Sequence, residues 1–299
     1  NIPSENQITC TVEDFDMHIT SGRFQATVRG VSTEEYPLFP SVDESAAIEY
    51  TLDRELLKSY ITQAVVCVAP NDVRMEFSGV YMRFSEKKLT LVSTDSFRLL
   101  ELEFEGVQTQ HQEKQEVILP LRSMTELIHL LSALSTNDIR IIFSGGQVFF
   151  QLSDEIILVS QVISGTFPDY TQIIPQSFET FVDISSAETV RALKMAGVFS
   201  QSTHAEVVFR VQSQDNTLVI ESKGGASGKN ITTMEVASFS GSDQEIVFNP
   251  KYLMDAIQLA NTEVFRMGMV SDSAPALIGR SSGESVENGF RYILMPIKK

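Results

Sequence analysis

The sequence predicts an α+β fold made of tandem, internally duplicated units, each a helix with several antiparallel strands. Three observations lead there. Four segments, 53–67, 121–134, 186–200 and 249–261, carry the apolar spacing of amphipathic helices. Their successive starts differ by 68, 65 and 63 (121 − 53, 186 − 121, 249 − 186). Between them run short alternating segments bounded by turn residues such as Ser144-Gly145-Gly146, the pattern of hairpin-connected strands. Finally, Glu35-Tyr36-Pro37 is echoed by Phe167-Pro168-Asp169-Tyr170, an offset of 131 between the prolines (168 − 37). The same step taken from Pro168 reaches position 299. A period of this length marks an array of similar domains.

The elements follow in order. Residues 1–40 hold strands only, at 7–12, 16–20 and 23–28. The first helix opens at Asp53, an N-cap residue, with Leu56, Leu57, Tyr60, Ile61 and Ala64 on one face. The second presents Met124, Leu127, Ile128 and Leu131. The third presents Val190, Leu193, Ala196 and Gly197 behind a capping box, Ser185-x-x-Glu188. The fourth has Pro250 in its first turn, then Leu253, Met254, Ile257 and Ala260. Strands are expected at 79–84, 89–93, 139–143, 147–152, 156–162, 206–211, 217–222, 231–237, 265–269 and 290–295. The repeating unit is thus one helix with its strands, used twice per domain. Domains are expected at 1–40 (the second half of a domain), 41–175 and 176–299, joined by short apolar linkers. Asn1-Ile2-Pro3-Ser4 lacks a start methionine and begins mid-pattern, as expected of a truncated chain; it has no signal-peptide character.

Composition narrows the function classes. An apolar fraction of 42% supports real cores. Two distant cysteines, Cys10 and Cys67, fit a reducing cytosol rather than a disulfide framework. No apolar run reaches the roughly 18 residues of a membrane span. The net charge of −16 opposes phosphate binding at face value, yet the charge is unevenly placed. The four helices carry Arg54, Lys58, Arg122, Arg191, Lys194 and Lys251 against Asp53, Glu55, Glu126, Glu188 and Asp255, or +6 − 5 = +1, leaving −17 for strands and loops. If the helices share a surface, that surface can face phosphates while the rest repels them; the other reading is ordinary solvated helix faces.

The candidate catalytic and metal-binding motifs fail on spacing or context. The run 223–230 lacks the first glycine and the hydroxyl of a phosphate loop and sits between strands, so it is a hairpin loop. His18, His111, His129 and His204 form no metal-ligand spacing, and Thr94-Asp95-Ser96 has no histidine nearby in sequence and reads as a turn. Apolar residues do recur where a core does not need them: at Phe97 and Leu99, in the linker at Pro168 and Ile173, and at Ile293, Met295, Pro296 and Ile297. Brought together, they would make a peptide-docking groove.

These segments resemble the bacterial replicative sliding clamp family, the beta subunit of DNA polymerase III. Residues 91–99, LVSTDSFRL, resemble its L-x-x-T-D-G-H-R-L; Gly165 to Tyr170 with Pro175 resemble its G-x-F-P-D-Y…P linker; Phe248 to Leu253 resemble F-N-x-x-Y-L; and Tyr292 to Pro296 resemble its closing Y-x-x-M-P. The resemblance runs collinearly through the chain. It implies a homodimeric ring of clamp domains, helices inside and sheets outside, encircling duplex DNA without base readout and holding the polymerase catalytic subunit, the clamp loader and other proteins that carry a clamp-binding motif. It implies no catalysis, no cofactor, no metal and no membrane. Carried over by position, the partner pocket falls on Arg74, Phe77, Thr94, Ser96, Phe97, Arg98 and Leu99, on Pro168, Gln172 and Ile173, and on Ile293, Met295, Pro296 and Ile297. The DNA-facing residues are expected to include Arg54, Lys58, Arg122, Arg191 and Lys194, because they sit on the only segments not dominated by acid, and the resemblance places the dimer contacts on Phe24, Ala26, Val198 and Phe199. Ser96-Phe97 replaces Gly-His, Gln172 stands where a basic residue is common, and Met75-Glu76 where aromatic or polar residues are common. These departures bear on the outer part of the pocket. The competing readings are a repeat-sheet adaptor that closes no ring and a hydrolase with an unrecognised site.

Overall fold

The computed structural model describes residues 7–298 apart from 33, 35–39, 44, 46, 112–113, 200–205, 224–227, 283–284 and 287–288, and apart from the side chains of 282, 285 and 286. The Tyr36-Pro37 punctuation, His204 and the centre of the 223–230 loop lie outside the described residues. The chain divides into two compact units, 1–41 and 42–299.

The first unit is an antiparallel meander of β1 (Thr9–Glu13), β2 (Asp16–Ser21) and β3 (Phe24–Arg29) in the order β1-β2-β3. Asp14 (φ 54°) and Gly22 (φ 60°) make its two turns in the left-handed region. Every residue of β1 and β3 is exposed.

The second unit uses one pattern, strand–helix–three strands, four times. The first pass is β4 (Ile48–Asp53), α1 (Arg54–Ala64), β5 (Gly79–Phe84), β6 (Lys88–Thr94) and β7 (Arg98–Glu105). The second is β8 (Gln115–Pro120), α2 (Leu121–Ala133), β9 (Asp138–Ser144), β10 (Gln147–Gln151) and β11 (Ile157–Gln161). The third is β12 (Thr180–Ser185), α3 (Ser186–Phe199), β13 (Val207–Gln212), β14 (Thr217–Lys223) and β15 (Lys229–Glu235). A short β16 (Ser238–Gly241) precedes the fourth: β17 (Gln244–Phe248), α4 (Pro250–Ala260), β18 (Val264–Met269), β19 (Ala276–Ser282) with its side strand β20 (Ser285–Val286), and β21 (Phe290–Leu294). The strand that leads into each helix was not expected from sequence, nor were β7 and β19. The leading strand matters because it is exchanged: β4 pairs with β9, β8 with β5, β12 with β18 and β17 with β13. Consecutive passes are thereby interlocked.

Three of the four helix starts are capped by a side chain at the end of the preceding strand or just after it. Asp53 Oδ1 accepts from the Leu56 amide at 2.7 Å, Ser185 Oγ accepts from the Glu188 amide at 3.4 Å, and Asn249 Oδ1 accepts from the Lys251 amide at 2.9 Å. The buried stripes, such as Leu57, Ile61 and Ala64 on α1 and Met124, Leu127 and Leu131 on α2, follow the expected period. α1 packs on α2 and α3 on α4, each pair over the same core.

Two four-stranded sheets, β11-β10-β9-β4 and β15-β14-β13-β17, accompany a ten-stranded sheet, β16-β12-β18-β19-β21-β7-β6-β5-β8 with β20 at its side. The long sheet is continuous through the β21–β7 pair, where Ile293 faces Leu99 and Arg291 faces Glu101. A second apolar cluster lies on this sheet, made by Phe77, Tyr81, Val92, Leu99, Ile118, Phe167, Tyr170, Leu277 and Ile293.

Candidate functional site

The second cluster frames a cavity of about 230 Å³. Its floor is the facing pair Leu99 and Ile293, 1% and 0% exposed. Both are β-strand residues on one face of the sheet, so the β7–β21 register alone brings them together. Phe77 and Phe167 stand as walls with ring centroids 5.9 Å apart, and Phe167 stacks on Tyr81 at 4.9 Å. Burial pushes the Tyr81 hydroxyl up to about 12, helped by a hydrogen bond with Glu116.

The β6–β7 turn forms one lip. Thr94 Oγ1 donates to the Arg98 carbonyl at 2.7 Å, and Asp95 Oδ1 accepts from the amides of Phe97 and Arg98 at 3.1 and 3.0 Å. Ser96 sits at φ 75°, a conformation natural to the glycine of the resembled pattern. The Arg74 guanidinium lies 4.3 Å over the Phe77 ring, pairs with Asp72 at 3.1 Å and donates to Ser96 Oγ. That pairing holds the Asp72 carboxyl below the usual range.

The linker supplies the opposite wall. Asp169 caps the 3₁₀ turn Tyr170–Ile173, accepting from Thr171 Oγ1 at 2.6 Å and from Gln172 Nε2 at 3.0 Å. These bonds depress the Asp169 carboxyl. Apolar side chains continue past the cavity into solvent: Val73, Met75, Phe97 and Ile173 are 98%, 66%, 62% and 42% exposed. Such grouping of exposed apolar surface marks a binding area more than isolated exposure does.

Behind the lip, Arg98 is buried and fully engaged. It meets Asp95 at 2.9 Å and Asp255 of α4 at 2.5 Å, donates to the Val66 carbonyl at 2.9 Å, and lies 4.3 Å over the Tyr252 ring. Tyr292 on β21 receives a further bond at 3.3 Å and donates to the Tyr252 carbonyl. Burial pushes the Tyr292 hydroxyl up, and pushes the Cys67 thiol beside it up to about 12. On the other side of the floor, Glu101 accepts from Tyr170 Oη at 2.6 Å and from Arg291 Nη1 at 2.8 Å.

Of the pocket residues expected from sequence, Arg74, Phe77, Thr94, Ser96, Arg98, Leu99, Pro168, Ile173, Ile293 and Met295 line this cavity. Phe97, Gln172, Pro296 and Ile297 do not. Phe97 is turned to solvent 6.5 Å from the Tyr252 ring, Gln172 folds back on Asp169, Pro296 is buried, and the Ile297 amide donates to Val247 of β17. Phe167, Asp169 and Tyr170 line the cavity without having been singled out, although all three stand in the quoted linker motif. Glu101, Asp255 and Arg291 carried no sequence signal, because their partners lie far along the chain, as Arg291 does from Glu101.

The expected DNA-facing cations differ in availability. Arg54 is already engaged: its guanidinium donates to the Thr136 and Leu131 carbonyls at 2.6 and 2.7 Å and pairs with Glu55, closing the end of α2. It is a cap, not a free cation. Lys58 is half-buried, 3.3 Å from Glu55; Arg122, Arg191 and Lys194 are exposed, with Glu188 3.9 Å from Arg191. Phe24 and Ala26 are exposed on the edge strand β3, Val198 is exposed near the end of α3, and Phe199 beside it is half-buried. Among the described residues there is no cluster of three or more metal-ligating side chains and no helix long and apolar enough to cross a membrane.

Residues 51–169 match the family model for the DNA polymerase III beta subunit, central domain, and residues 171–298 match the model for its C-terminal domain. The beta sliding clamp of Staphylococcus aureus (strain Mu50 / ATCC 700699) is 26% identical over 99% of this chain and 76% of its own length. That of Bacillus subtilis (strain 168) is 26% identical over 94% of this chain and 72% of its own. The crystal structure of the DNA polymerase III beta subunit from Thermotoga maritima superposes with a TM-score of 0.85 at 26% identity, over 98% of this chain and 76% of that one. The Pseudomonas aeruginosa beta subunit has the same fold, with a TM-score of 0.87 at 21% identity over 99% and 78%. With the central-domain and C-terminal-domain models following one another along the chain in that order, it belongs to the family of DNA polymerase III beta subunits.

Proposed function

We propose that this chain works as a sliding clamp that encircles duplex DNA and tethers the replicative polymerase for processive synthesis. The observation that carries the reading is the collinear match to the clamp's central and C-terminal domains, with an apolar cavity at the strand pair that joins the two matched regions. The non-ring adaptor is not favoured, since the chain's relatives are clamps.

In this reading, residues 41–175 and 176–299 are clamp domains and 1–40 the second half of another. Two subunits meet head to tail through Phe24 and Ala26 on one and Val198 and Phe199 on the other, a heterologous contact that closes by two-fold rotation. Lys58, Arg122, Arg191 and Lys194 face the phosphates. A sliding ring needs weak contacts without base readout, and sparse helix cations suit that. The cavity takes an apolar anchor of a short segment from the polymerase catalytic subunit, the clamp loader or another partner. The protein is a non-catalytic, cofactor-free component of the cytoplasm.

A fluorescein-labelled pentapeptide bearing leucine and phenylalanine side chains tests the cavity. Leu99→Ala and Met295→Ala should each weaken binding by about 1–3 kcal/mol, the usual loss for a buried anchor contact. Wild-type affinity in both variants would overturn the assignment.

A further inference from the structure

The linker wall of the cavity has no strand pairing to hold it, yet it must keep its distance from the floor. Its fixed point is Tyr170, buried and packed 6.2 Å from Phe167. The Tyr170 hydroxyl reaches down to Glu101 on β7 at 2.6 Å. Glu101 lies two residues after Leu99, so both point to the same face of the sheet. Its register partners are Val92 on β6 and Arg291 on β21, and Arg291 closes onto the second carboxylate oxygen at 2.8 Å. On this face the junction therefore reads apolar pair, Leu99 and Ile293, then charged pair, Glu101 and Arg291, with the linker tyrosine across the charged one.

A carboxylate 4% exposed amid Val92, Leu99 and Ile293 is costly to bury, and an apolar residue would serve sheet stability as well. What an apolar residue could not do is tie three separate elements to one atom group. We infer that Glu101 is a positioning residue for the docking cavity: it locks the linker turn Tyr170–Ile173 to the β7–β21 junction and so sets the gap between Ile173 and the Leu99–Ile293 floor. It does so without lining the cavity itself. The inference rests on the peptide-docking reading of the cavity, and it deepens that reading by making affinity depend on a group the peptide never touches.

The test uses the whole chain and the labelled pentapeptide, with hydrogen exchange of residues 168–174 read by mass spectrometry. Tyr170→Phe removes only the hydroxyl, and Glu101→Ala removes both bonds. Each should weaken the peptide about tenfold, the scale of a lost buried charge-assisted hydrogen bond, and speed exchange in the turn. Glu101→Gln, which can still accept from Tyr170, should recover part of the affinity. Asp183→Asn, which breaks a buried pair with Arg266 elsewhere in the same sheet, should lower stability and leave the affinity unchanged. Turn exchange and affinity both unaltered in Tyr170→Phe and Glu101→Ala would overturn the inference. So would an Asp183→Asn loss of affinity as large as theirs, since that would reduce the effect to general destabilisation. Faster turn exchange with no peptide bound by the wild type would uphold the lock and overturn the docking reading instead.

Discussion

Replacing Arg98 by methionine should be among the most damaging single changes around the cavity. The side chain is 8% exposed and serves Asp255, Asp95, the Val66 carbonyl and the Tyr252 ring at once. Methionine fills much of the volume, so the effect reports the charge. Asp95 keeps backbone amide donors from Phe97 and from residue 98, which soften its loss. Asp255 loses its guanidinium and is itself only 19% exposed. Breaking one side of a buried pair costs about 3–5 kcal/mol, and the partial exposure of Asp255 places this case near about 3 kcal/mol. At about 2–4 °C per kcal/mol for a unit of this size, the melting midpoint should fall by roughly 6–12 °C. Thermal melts and urea titrations of the wild type, Arg98→Met, Asp255→Leu and the double variant measure it. The double variant should recover about 1–2 kcal/mol relative to additive losses, because the stranded carboxylate is gone. An Arg98→Met protein within about 1 kcal/mol of wild type, or strictly additive losses, would show that the pair holds nothing together.

Three further outcomes are expected. Cys10 is exposed and Cys67 is buried with its thiol pushed up to about 12, so iodoacetamide at pH 8 should label the native chain once and the urea-unfolded chain twice, as read by intact mass. Burial would raise the Asp183 carboxyl, but hydrogen bonds from Arg266, Ser238 and Ser281 outweigh it and hold it below its ordinary value. Its contribution is therefore complete above an unfolded value of about 3.9 and lost as the pH falls through the lower native value, so the stability gap between wild type and Asp183→Asn, from urea midpoints, should narrow only below about pH 4. Reversing Arg122, Arg191 and Lys194 to Glu should shorten retention on nicked circular DNA, with peptide affinity unchanged; retention indifferent to these charges would remove them from the DNA path.

The sequence was informative wherever the signal is local. Helix periodicity placed α1 to α4 to within a few residues, helped at three of them by Asp53, the Ser185 capping box and Pro250 beside their apolar stripes. The strands leading into the helices were missed. Gln115–Pro120 and Thr180–Ser185 each run directly into a helix, so no turn separates strand from helix. Their role is also non-local, since each pairs in the sheet of the neighbouring pass. The cavity lining was largely legible through the resemblance, whereas its supports were not. Arg98 looked like a lip residue but spends its charge on α4, and Arg54 looked like a free helix cation but caps α2. Glu101, the first of three alternating glutamates with Glu103 and Glu105, reads as a solvent-facing residue until its partners arrive from the linker and β21.

The strand pair that joins the long sheet also sets a timetable. β7 ends at Glu105, and its partner β21 begins only at Phe290, with most of the chain still to be made in between. At about 5–20 residues per second of synthesis, the edge of β7 waits roughly 10–40 seconds on the ribosome before it can be covered. Through that interval it is an open strand edge, flanked by the apolar cluster that will later floor the cavity, and such edges recruit other chains. The last described strand therefore does two things as it arrives. It closes the open edge of β7 and completes the Leu99–Ile293 floor of the cavity in the same motion, so a chain halted before β21 has an open strand edge and no cavity floor.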